Sequence, residues 1–307
     1  MKTEIIEFVG FDGITLAAVL WQPEGEIKAM LQIAHGMTEH MGRYERFAAD
    51  LCGQGIAVAG FDLRGHGKNS GTPNVASCGK GGWEASVEDM RLYFELLEQR
   101  FPGVPHYMLG FSLGSFLLRE YLTKYPAEGE VAGAIIAGTG HQPRWLLSIM
   151  MGIVKGQIKK AGYDQTTDLV RQLSFGTYNQ KFKPNRTTAD WLCSDEAELN
   201  QYLADPLVRK DISSGLFYEL LGSMKRTASR FEYNGWDTSL PVLFLSGKVD
   251  PVGDCGKGVQ TIYHRMKKTG MENVTIRLFE NARHDIFHEE ACGVAETVRR
   301  CISDWIR

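Results

Sequence analysis

The feature that most constrains the fold of this chain is a regular alternation of short apolar runs with longer amphipathic segments. The apolar runs are nearly continuous and are bounded by glycine or polar loops, which is typical of strands buried on both faces of a parallel sheet. These runs are 30–34, 56–61, 107–110, 131–137, 241–246 and 274–278, and segments with helical spacing lie at 44–54, 83–100, 112–125, 259–268 and 292–306. A hairpin is predicted at the start, where 5–10 and 14–20 flank Asp12-Gly13. The alternation predicts an α/β fold with a mostly parallel central sheet flanked by helices.

The alternation stops at about residue 140 and resumes at about residue 241. The middle segment, residues 140–240, lacks strand-like runs and is amphipathic, helical and rich in aromatic residues and methionine. An insertion between two strands emerges at one end of the sheet, and ligands of open α/β sheets bind at the carboxyl ends of the strands. We therefore predict a core formed by 1–139 and 241–307, with the middle segment as a helical cap over the site.

Composition excludes several function classes. The formal net charge is −3 and no basic run occurs, so nucleic-acid binding is not expected. No apolar run approaches the roughly 20 residues of a membrane span, and the first residues do not resemble a signal peptide. The six cysteines are scattered without a C-x-x-C pair, which favours a reduced, cytoplasmic protein. Metal-binding and nucleotide-binding motifs are absent, so we predict neither a metal nor another cofactor.

The strongest local signal is Gly110-Phe111-Ser112-Leu113-Gly114, a G-x-S-x-G motif between a predicted strand and a predicted helix. A nucleophile elbow needs that placement, because the turn is tight and only small residues two before and two after the serine relieve the clash. The following helix directs free N–H groups toward a developing anion. These features predict that Ser112 is a nucleophile.

A serine hydroxyl needs an oriented base, and in this architecture the acid and the histidine follow the serine in that order. His284 lies in the loop after the strand 274–278 and is the preferred base. The alternatives are weaker, since His264 lies within a predicted helix and His288 is expected at a helix start. Asp250 follows the strand 241–246 and is the preferred acid.

Two further positions near the site have a structural alternative. Asp254 could serve as the acid, but we expect it to cap the next helix, which is a common position for aspartate. The loop of Arg64 and His66 could bind an anion, but a hydrogen-bonded structural turn is the favoured interpretation.

An acyl-transfer site also needs two backbone donors for the oxyanion. Leu113 follows the serine and supplies the first N–H. Met37 follows Gly36 in the loop after the strand 30–34 and is predicted to supply the second. His35 precedes the serine, and we expect it to orient this loop rather than to act as a base.

Three motifs together resemble the monoacylglycerol-lipase and lysophospholipase-like branch of the α/β-hydrolases, also called serine aminopeptidase-like. The run 35–44, HGMTEHMGRY, resembles its H-G-x-x-E-H-x-x-R-Y signature, and 62–71 resembles its D-x-R-G-H-G-x-S-x-G loop with one residue added before the serine. The elbow and the segments around Asp250 and His284 fall at the matching places, so the resemblance spans the whole core. It implies Ser112, Asp250 and His284 as the triad, with Met37 and Leu113 as oxyanion donors.

The chain departs from that pattern at the elbow. Phe111 stands where the family often has histidine, and Gly114-Ser115 stands where it often has two glycines. These differences bear on substrate preference and leave the expected chemistry unchanged.

The apolar run 145–154 in the middle segment has three interpretations. It can pack within the cap, line an acyl pocket, or touch a membrane or micelle surface transiently. We predict Trp145, Ile149 and Ile153 as substrate-binding residues.

The sequence thus predicts a serine hydrolase that cleaves a small-molecule carboxylic ester, such as a monoacylglycerol or a lysophospholipid. The same triad could serve an aminopeptidase, a thioesterase, an acyltransferase or a short-chain carboxylesterase. A non-catalytic binding protein on this scaffold is disfavoured, because such proteins usually lack a triad member and none is missing here.

Overall fold

The computed structural model describes residues 1–72, 74–126, 130–229 and 233–306. Within these ranges the chain forms ten strands: β1 Lys2–Val9, β2 Thr15–Gln22, β3 Ala29–Ala34, β4 Ile56–Phe61, β5 Val75–Ala76, β6 His106–Phe111, β7 Gly133–Ala137, β8 Asp211–Ile212, β9 Val242–Gly247 and β10 Val274–Phe279. Eight of them form one sheet in the order β1-β2-β4-β3-β6-β7-β9-β10. Strand β2 runs antiparallel to both of its neighbours, and the strands from β4 to β10 in this order are parallel. The predicted hairpin and the mostly parallel sheet are confirmed.

Ten α-helices lie within the described ranges. They are α1 Glu45–Cys52, α2 Gly82–Arg100, α3 Leu113–Lys124, α4 Arg144–Ala161, α5 Asp168–Arg171, α6 Thr177–Asn179, α7 Glu196–Ala204, α8 Ser214–Thr227, α9 Lys257–Lys268 and α10 Val294–Ile306. No helix within the described ranges is both long enough and apolar enough to cross a bilayer.

The two faces of the sheet carry separate hydrophobic clusters. In β7, Ile136 packs with residues of α2, α3 and α9, whereas its neighbour Ile135 packs with residues of α1 and α10. Successive side chains of a strand point to opposite faces, so a strand covered on both faces needs apolar residues at every position. This explains why β3, β4, β7 and β9 are buried along their whole length and why their sequences are nearly continuous apolar runs, with Gln32 and Ser246 as buried polar exceptions.

The middle segment lies between β7 and β9 and contains α4 to α8. Helix α4 packs against α8, and α8 packs against α3 of the core. The segment also contains strand β8, which the sequence did not predict. It pairs in parallel with β5, and each of these strands has only two residues. A two-residue strand is too short to produce an apolar pattern, so its formation depends on a distant partner.

The loop after β4 is fixed by a buried guanidinium. Arg64 forms two hydrogen bonds with Asp89 of α2, at 2.5 and 2.9 Å, and two with Asp12 of the β1–β2 turn, at 2.7 and 2.9 Å. Asp89 also accepts the Phe11 N–H at 2.8 Å. Three elements are thus joined at one side chain, in agreement with the favoured prediction of a hydrogen-bonded structural turn.

We expect Arg64→Met to lower the free energy of unfolding by about 3–5 kcal/mol, because it leaves the buried Asp89 carboxylate without its cation. Arg171 is a matched control, since it also binds two carboxylates, those of Asp168 and Asp211, but is about half exposed. Arg171→Met should cost at most about 1 kcal/mol. Urea unfolding at pH 7 measures both values, and equal losses would contradict the role given to Arg64.

Candidate active site

Ser112 occupies the turn between β6 and α3. Its backbone has φ +50° and ψ −115°, a left-handed conformation that residues with a side chain rarely adopt. A Cβ atom at Gly110 would lie 2.4 Å from the carbonyl oxygen of Gly114, and a Cβ at Gly114 would lie 2.0 Å from the carbonyl oxygen of Ala34. Both distances are far below contact, so the turn requires glycine at these two positions.

One chain of hydrogen bonds joins three side chains that the sequence singled out. The Ser112 hydroxyl lies 2.8 Å from Nε2 of His284, and Nδ1 of His284 lies 2.9 Å from Oδ2 of Asp250. The other Asp250 oxygen accepts the Val252 N–H at 2.8 Å. With Nδ1 donating to the carboxylate, Nε2 is free to accept the hydroxyl proton, so the arrangement can turn the serine into a nucleophile.

The sheet explains why residues far apart in sequence meet here. Ser112, Asp250 and His284 follow β6, β9 and β10, which are parallel, so the three loops lie at the same edge of the sheet. The last two loops touch directly, because a Cβ at Gly247 would lie 2.1 Å from the carbonyl oxygen of Ala282.

The structure places the alternative residues elsewhere. Asp254 is exposed, with φ +49°, and the residue that caps α9 is Gly256. The predicted helix cap at Asp254 is therefore wrong, because the backbone is left-handed from Asp254 to Gly256 and Asp254 lies two residues outside the cap position. His288 is not at a helix start, since α10 begins at Val294, and His264 is exposed on α9.

Two aromatic rings pack against the His284 imidazole. The centroids of Phe111 and Trp191 lie 5.0 and 5.1 Å from it, with the planes inclined by 34° and 32°. Trp191 belongs to the middle segment, and its carbonyl oxygen accepts the His284 N–H at 3.4 Å. Sequence reasoning did not identify Trp191, and the only available signal was the aromatic richness of the middle segment.

The two predicted oxyanion donors lie in the loop after β3 and at the start of α3. The N–H groups of Met37 and Leu113 donate to none of the described protein groups, whereas the neighbouring Gly36 N–H donates to Glu39 at 2.6 Å. The close contact between Gly114 and the Ala34 carbonyl brings this loop against the start of α3. The loop can therefore supply one donor and the helix a second.

The buried side chain of His35 holds this loop through two hydrogen bonds. Its Nε2 accepts the Leu63 N–H at 2.9 Å, and its Nδ1 therefore carries the proton and donates to the Gly36 carbonyl at 2.7 Å. Burial lowers the pKa of His35 to about 4, so the ring stays neutral at physiological pH. These contacts agree with the expectation that His35 orients the loop.

A buried ionic network lies behind the site. Arg43 binds Glu39 and, at 2.9 Å, Asp285, the residue after His284. His288 binds the other Asp285 oxygen at 2.8 Å. Burial alone would raise the pKa of Asp285, but His288 and Arg43 hold it below its ordinary value. The oxyanion loop and the His284 loop are thus connected through Arg43.

The three predicted substrate-binding residues lie on one side of α4 and face solvent. Trp145, Ile149 and Ile153 are 66%, 54% and 41% exposed, whereas Leu147 and Val154 on the opposite side are fully buried. The structure does not bring these three residues into contact with the triad. They form an apolar stripe, here defined as Trp145, Ile149 and Ile153, on a surface that is otherwise polar and basic.

Comparison with known proteins gives three consistent results. The family described as serine aminopeptidase, S33, matches residues 25–291. Human monoglyceride lipase is 26% identical over 305 residues, covering 99% of this chain and 90% of the relative. An uncharacterized abhydrolase domain-containing protein of Dictyostelium discoideum is 28% identical over 312 residues, and the match spans 100% of this chain but only 29% of that protein.

Among solved structures, a thermostable carboxyl esterase from Bacillus coagulans, crystallised with glycerol, superposes with a TM-score of 0.89 at 24% identity. The match covers 100% of this chain and 98% of the esterase, and it confirms the α/β-hydrolase fold. The predicted enzyme class, a serine ester hydrolase, is confirmed by the family match and the monoglyceride lipase relative. Since the family match covers most of the core and the middle segment, the chain belongs to the serine aminopeptidase, S33, family of α/β-hydrolases.

Proposed function

We propose that the protein hydrolyses lipid-like monoesters, such as monoacylglycerols or lysophospholipids, through an acyl-enzyme on Ser112. The observation that carries the proposal is the unbroken hydrogen-bond chain from Ser112 through His284 to Asp250. The relative named monoglyceride lipase, which this chain matches over almost its whole length, supports the substrate class.

The reaction follows from the positions of these groups. The Ser112 Oγ attacks the ester carbonyl carbon while Nε2 of His284 takes its proton, and the N–H groups of Met37 and Leu113 stabilise the oxyanion. The C–O bond then breaks, and His284 returns the proton to the leaving alcohol. A water molecule attacks the acyl-enzyme in the same way, which releases the acid and restores the serine.

The first test concerns Ser112. A fluorophosphonate probe should label this serine, and Ser112→Ala should lower kcat by about 10⁶, as when a serine protease loses its nucleophile. Mass spectrometry of the labelled peptide and ester turnover measure the two effects. Labelling of another serine, or near-normal turnover by the alanine variant, would contradict the assignment.

The second test separates the two neighbouring aspartates. Asp250→Asn should lower kcat by about 10⁴, because an amide cannot hold the imidazole in the tautomer that leaves Nε2 unprotonated. Asp254→Asn is the matched control, since Asp254 is four residues away and exposed, and it should leave kcat unchanged. The assignment of the acid fails if the control is the more damaging change.

The middle segment is proposed to act as the cap and to carry the acyl-binding surface. Helix α4 begins four residues after Gly140, where a Cβ would lie 2.4 Å from the carbonyl oxygen of Val252, so the helix starts beside the Asp250 loop. The apolar stripe extends from there, and Lys155, Lys159 and Lys160 are exposed on the same helix. An apolar stripe on a basic helix suits an acyl chain, and it also suits transient contact with an anionic membrane or micelle surface.

The third test measures acyl-chain preference. Each methylene that binds along the stripe should contribute up to about 0.8 kcal/mol, and half that value over six methylenes is about 2.4 kcal/mol. The kcat/KM should therefore rise more than tenfold from acetyl to octanoyl esters. Ile149→Ser and Ile153→Ser should flatten this rise, whereas Phe11→Ser, which alters an exposed apolar residue of the β1–β2 turn, should not.

Other outcomes of the same assay identify the alternatives. A profile that peaks at acetyl indicates a short-chain carboxylesterase. A flat profile with rapid cleavage of aminoacyl amides or of thioesters indicates a peptidase or a thioesterase. Acyl transfer to an added alcohol in place of water indicates an acyltransferase.

We also propose that the enzyme works in the cytoplasm. The support is that all six cysteines are free thiols, which fits a reducing compartment. Fractionation of cells that produce the protein tests this location.

A further inference from the structure

Thr38, the residue after the proposed oxyanion donor Met37, has an unusual backbone conformation. Its φ is +71°, in the left-handed region, and its side chain is β-branched and buried. For such a residue a positive φ is a genuine outlier that costs on the order of 1–3 kcal/mol and persists only when the surrounding structure holds it. Glycine would adopt this conformation without cost.

The groups that hold Thr38 come from the middle segment. The hydroxyl of Tyr202, on α7, lies 2.7 Å from Oγ1 of Thr38, and the Thr38 hydroxyl in turn donates to the Met37 carbonyl oxygen. The backbone N–H of Arg209 donates to the Thr38 carbonyl oxygen at 2.8 Å. Groups outside the core thus hold both the side chain and the carbonyl of Thr38, the residue after Met37.

Tyr202 is itself well placed to act as a fixed donor. The guanidinium of Arg43 lies 4.8 Å from the centroid of its ring, on the face of the π system. Burial raises the pKa of Tyr202 to about 12, so the phenol keeps its proton at physiological pH and donates to Thr38. Because Arg43 also binds Glu39 of the same loop, Tyr202 and the loop share one anchor.

The core alone provides a different set of contacts to this loop. Glu39 fixes the Gly36 N–H and His35 fixes the Gly36 carbonyl, and both contacts precede Met37. Among the described residues, no core group outside this loop forms a hydrogen bond with Thr38. Met37 therefore lies between one residue, Gly36, that the core fixes and another, Thr38, that the middle segment fixes.

We propose that Tyr202 and Arg209 are positioning residues that hold Thr38 in its strained conformation, so that the oxyanion hole is complete only while α7 is docked on the core. The inference rests on the proposed function, since it concerns the donor for the same acyl transfer. Its consequence is that docking of the middle segment controls the chemical step as well as access to the serine.

The test compares Tyr202→Phe with Tyr163→Phe. Tyr163 is a matched control, because its hydroxyl also makes one hydrogen bond within the middle segment, to Glu219 at 3.0 Å, without touching the oxyanion loop. Tyr202→Phe should lower kcat about tenfold and leave KM unchanged, as expected for the loss of one hydrogen bond that acts in the transition state. Tyr163→Phe should change neither constant.

The second measurement is the inhibition constant of a trifluoromethyl ketone whose acyl chain matches that of the ester substrate. A tyrosine that only stabilises the fold would not change this constant. The Ser112 Oγ adds to the ketone carbon, the carbonyl oxygen becomes an oxyanion in the proposed hole, and the serine proton passes to His284. The concentration of active sites is first determined by titration with fluorophosphonate. For Tyr202→Phe the inhibition constant should then rise by the same factor as kcat/KM falls. A lower melting temperature with an unchanged inhibition constant would overturn the inference.

Substitutions at Thr38 test the role of strain. Thr38→Ala and Thr38→Gly both remove the hydroxyl, but alanine keeps the cost of a positive φ and glycine does not. Thr38→Ala should lower kcat about tenfold, whereas Thr38→Gly should stay within about threefold of the wild type. In the Thr38→Gly background, Tyr202→Phe should have no further effect. Equal losses for alanine and glycine, or an undiminished Tyr202→Phe effect in that background, would overturn the inference.

Failure of the inference is distinguishable from failure of the proposed function. If the wild type neither hydrolyses esters nor reacts with fluorophosphonate at Ser112, the proposed function is wrong and the inference is wrong with it. If the wild type is active and Tyr202→Phe matches it in kcat and in ketone inhibition, only the inference is wrong.

Discussion

The first turn of α3 lies so close to the end of β3 that no side chain fits between them, since a Cβ at Gly114 would be 2.0 Å from the Ala34 carbonyl. This approach brings the Met37 loop, which follows β3, next to the N-terminus of α3, which follows β6. In the same turn Ser112 has a left-handed backbone conformation, and its hydroxyl lies 2.8 Å from Nε2 of His284. One backbone contact therefore places the two oxyanion donors beside the nucleophile. The loops after β9 and β10 bring Asp250 and His284 to the same position.

Much of this arrangement could be predicted from the sequence, for physical reasons. Strands buried on both faces are apolar at nearly every position, and parallel strands end at one edge, so polar residues just after them are expected to converge. That reasoning identified Ser112, Asp250 and His284, which the structure brings into one hydrogen-bond chain. It failed for Asp254, where the local pattern of an aspartate before a helix suggested a cap, while the chain makes a left-handed turn that ends in Gly256.

Contacts between the middle segment and the core could not be predicted, because they join residues with no shared periodicity. Trp191 packs on His284, Tyr202 binds Thr38, and the two-residue strand β8 pairs with β5 across 136 positions of the chain. Each depends on where the middle segment finally lies against the core. The positive φ of Thr38 has no sequence signature either, since threonine disfavours it.

The segment around Trp191 is joined to the His284 loop along its length. The Asp285 N–H donates to the Leu192 carbonyl at 2.7 Å, the Ser194 N–H reaches the Glu289 carboxylate at 3.1 Å, and the Ala291 N–H reaches Asp195 at 2.8 Å. A rigid-body opening that lifted this stretch would take the base away from the serine. For protein engineering the consequence is asymmetric: under the proposed role of α4 in acyl binding, that helix is the part to exchange between homologues, whereas the stretch from Trp191 to Asp195 has to be transplanted together with the loop that carries His284.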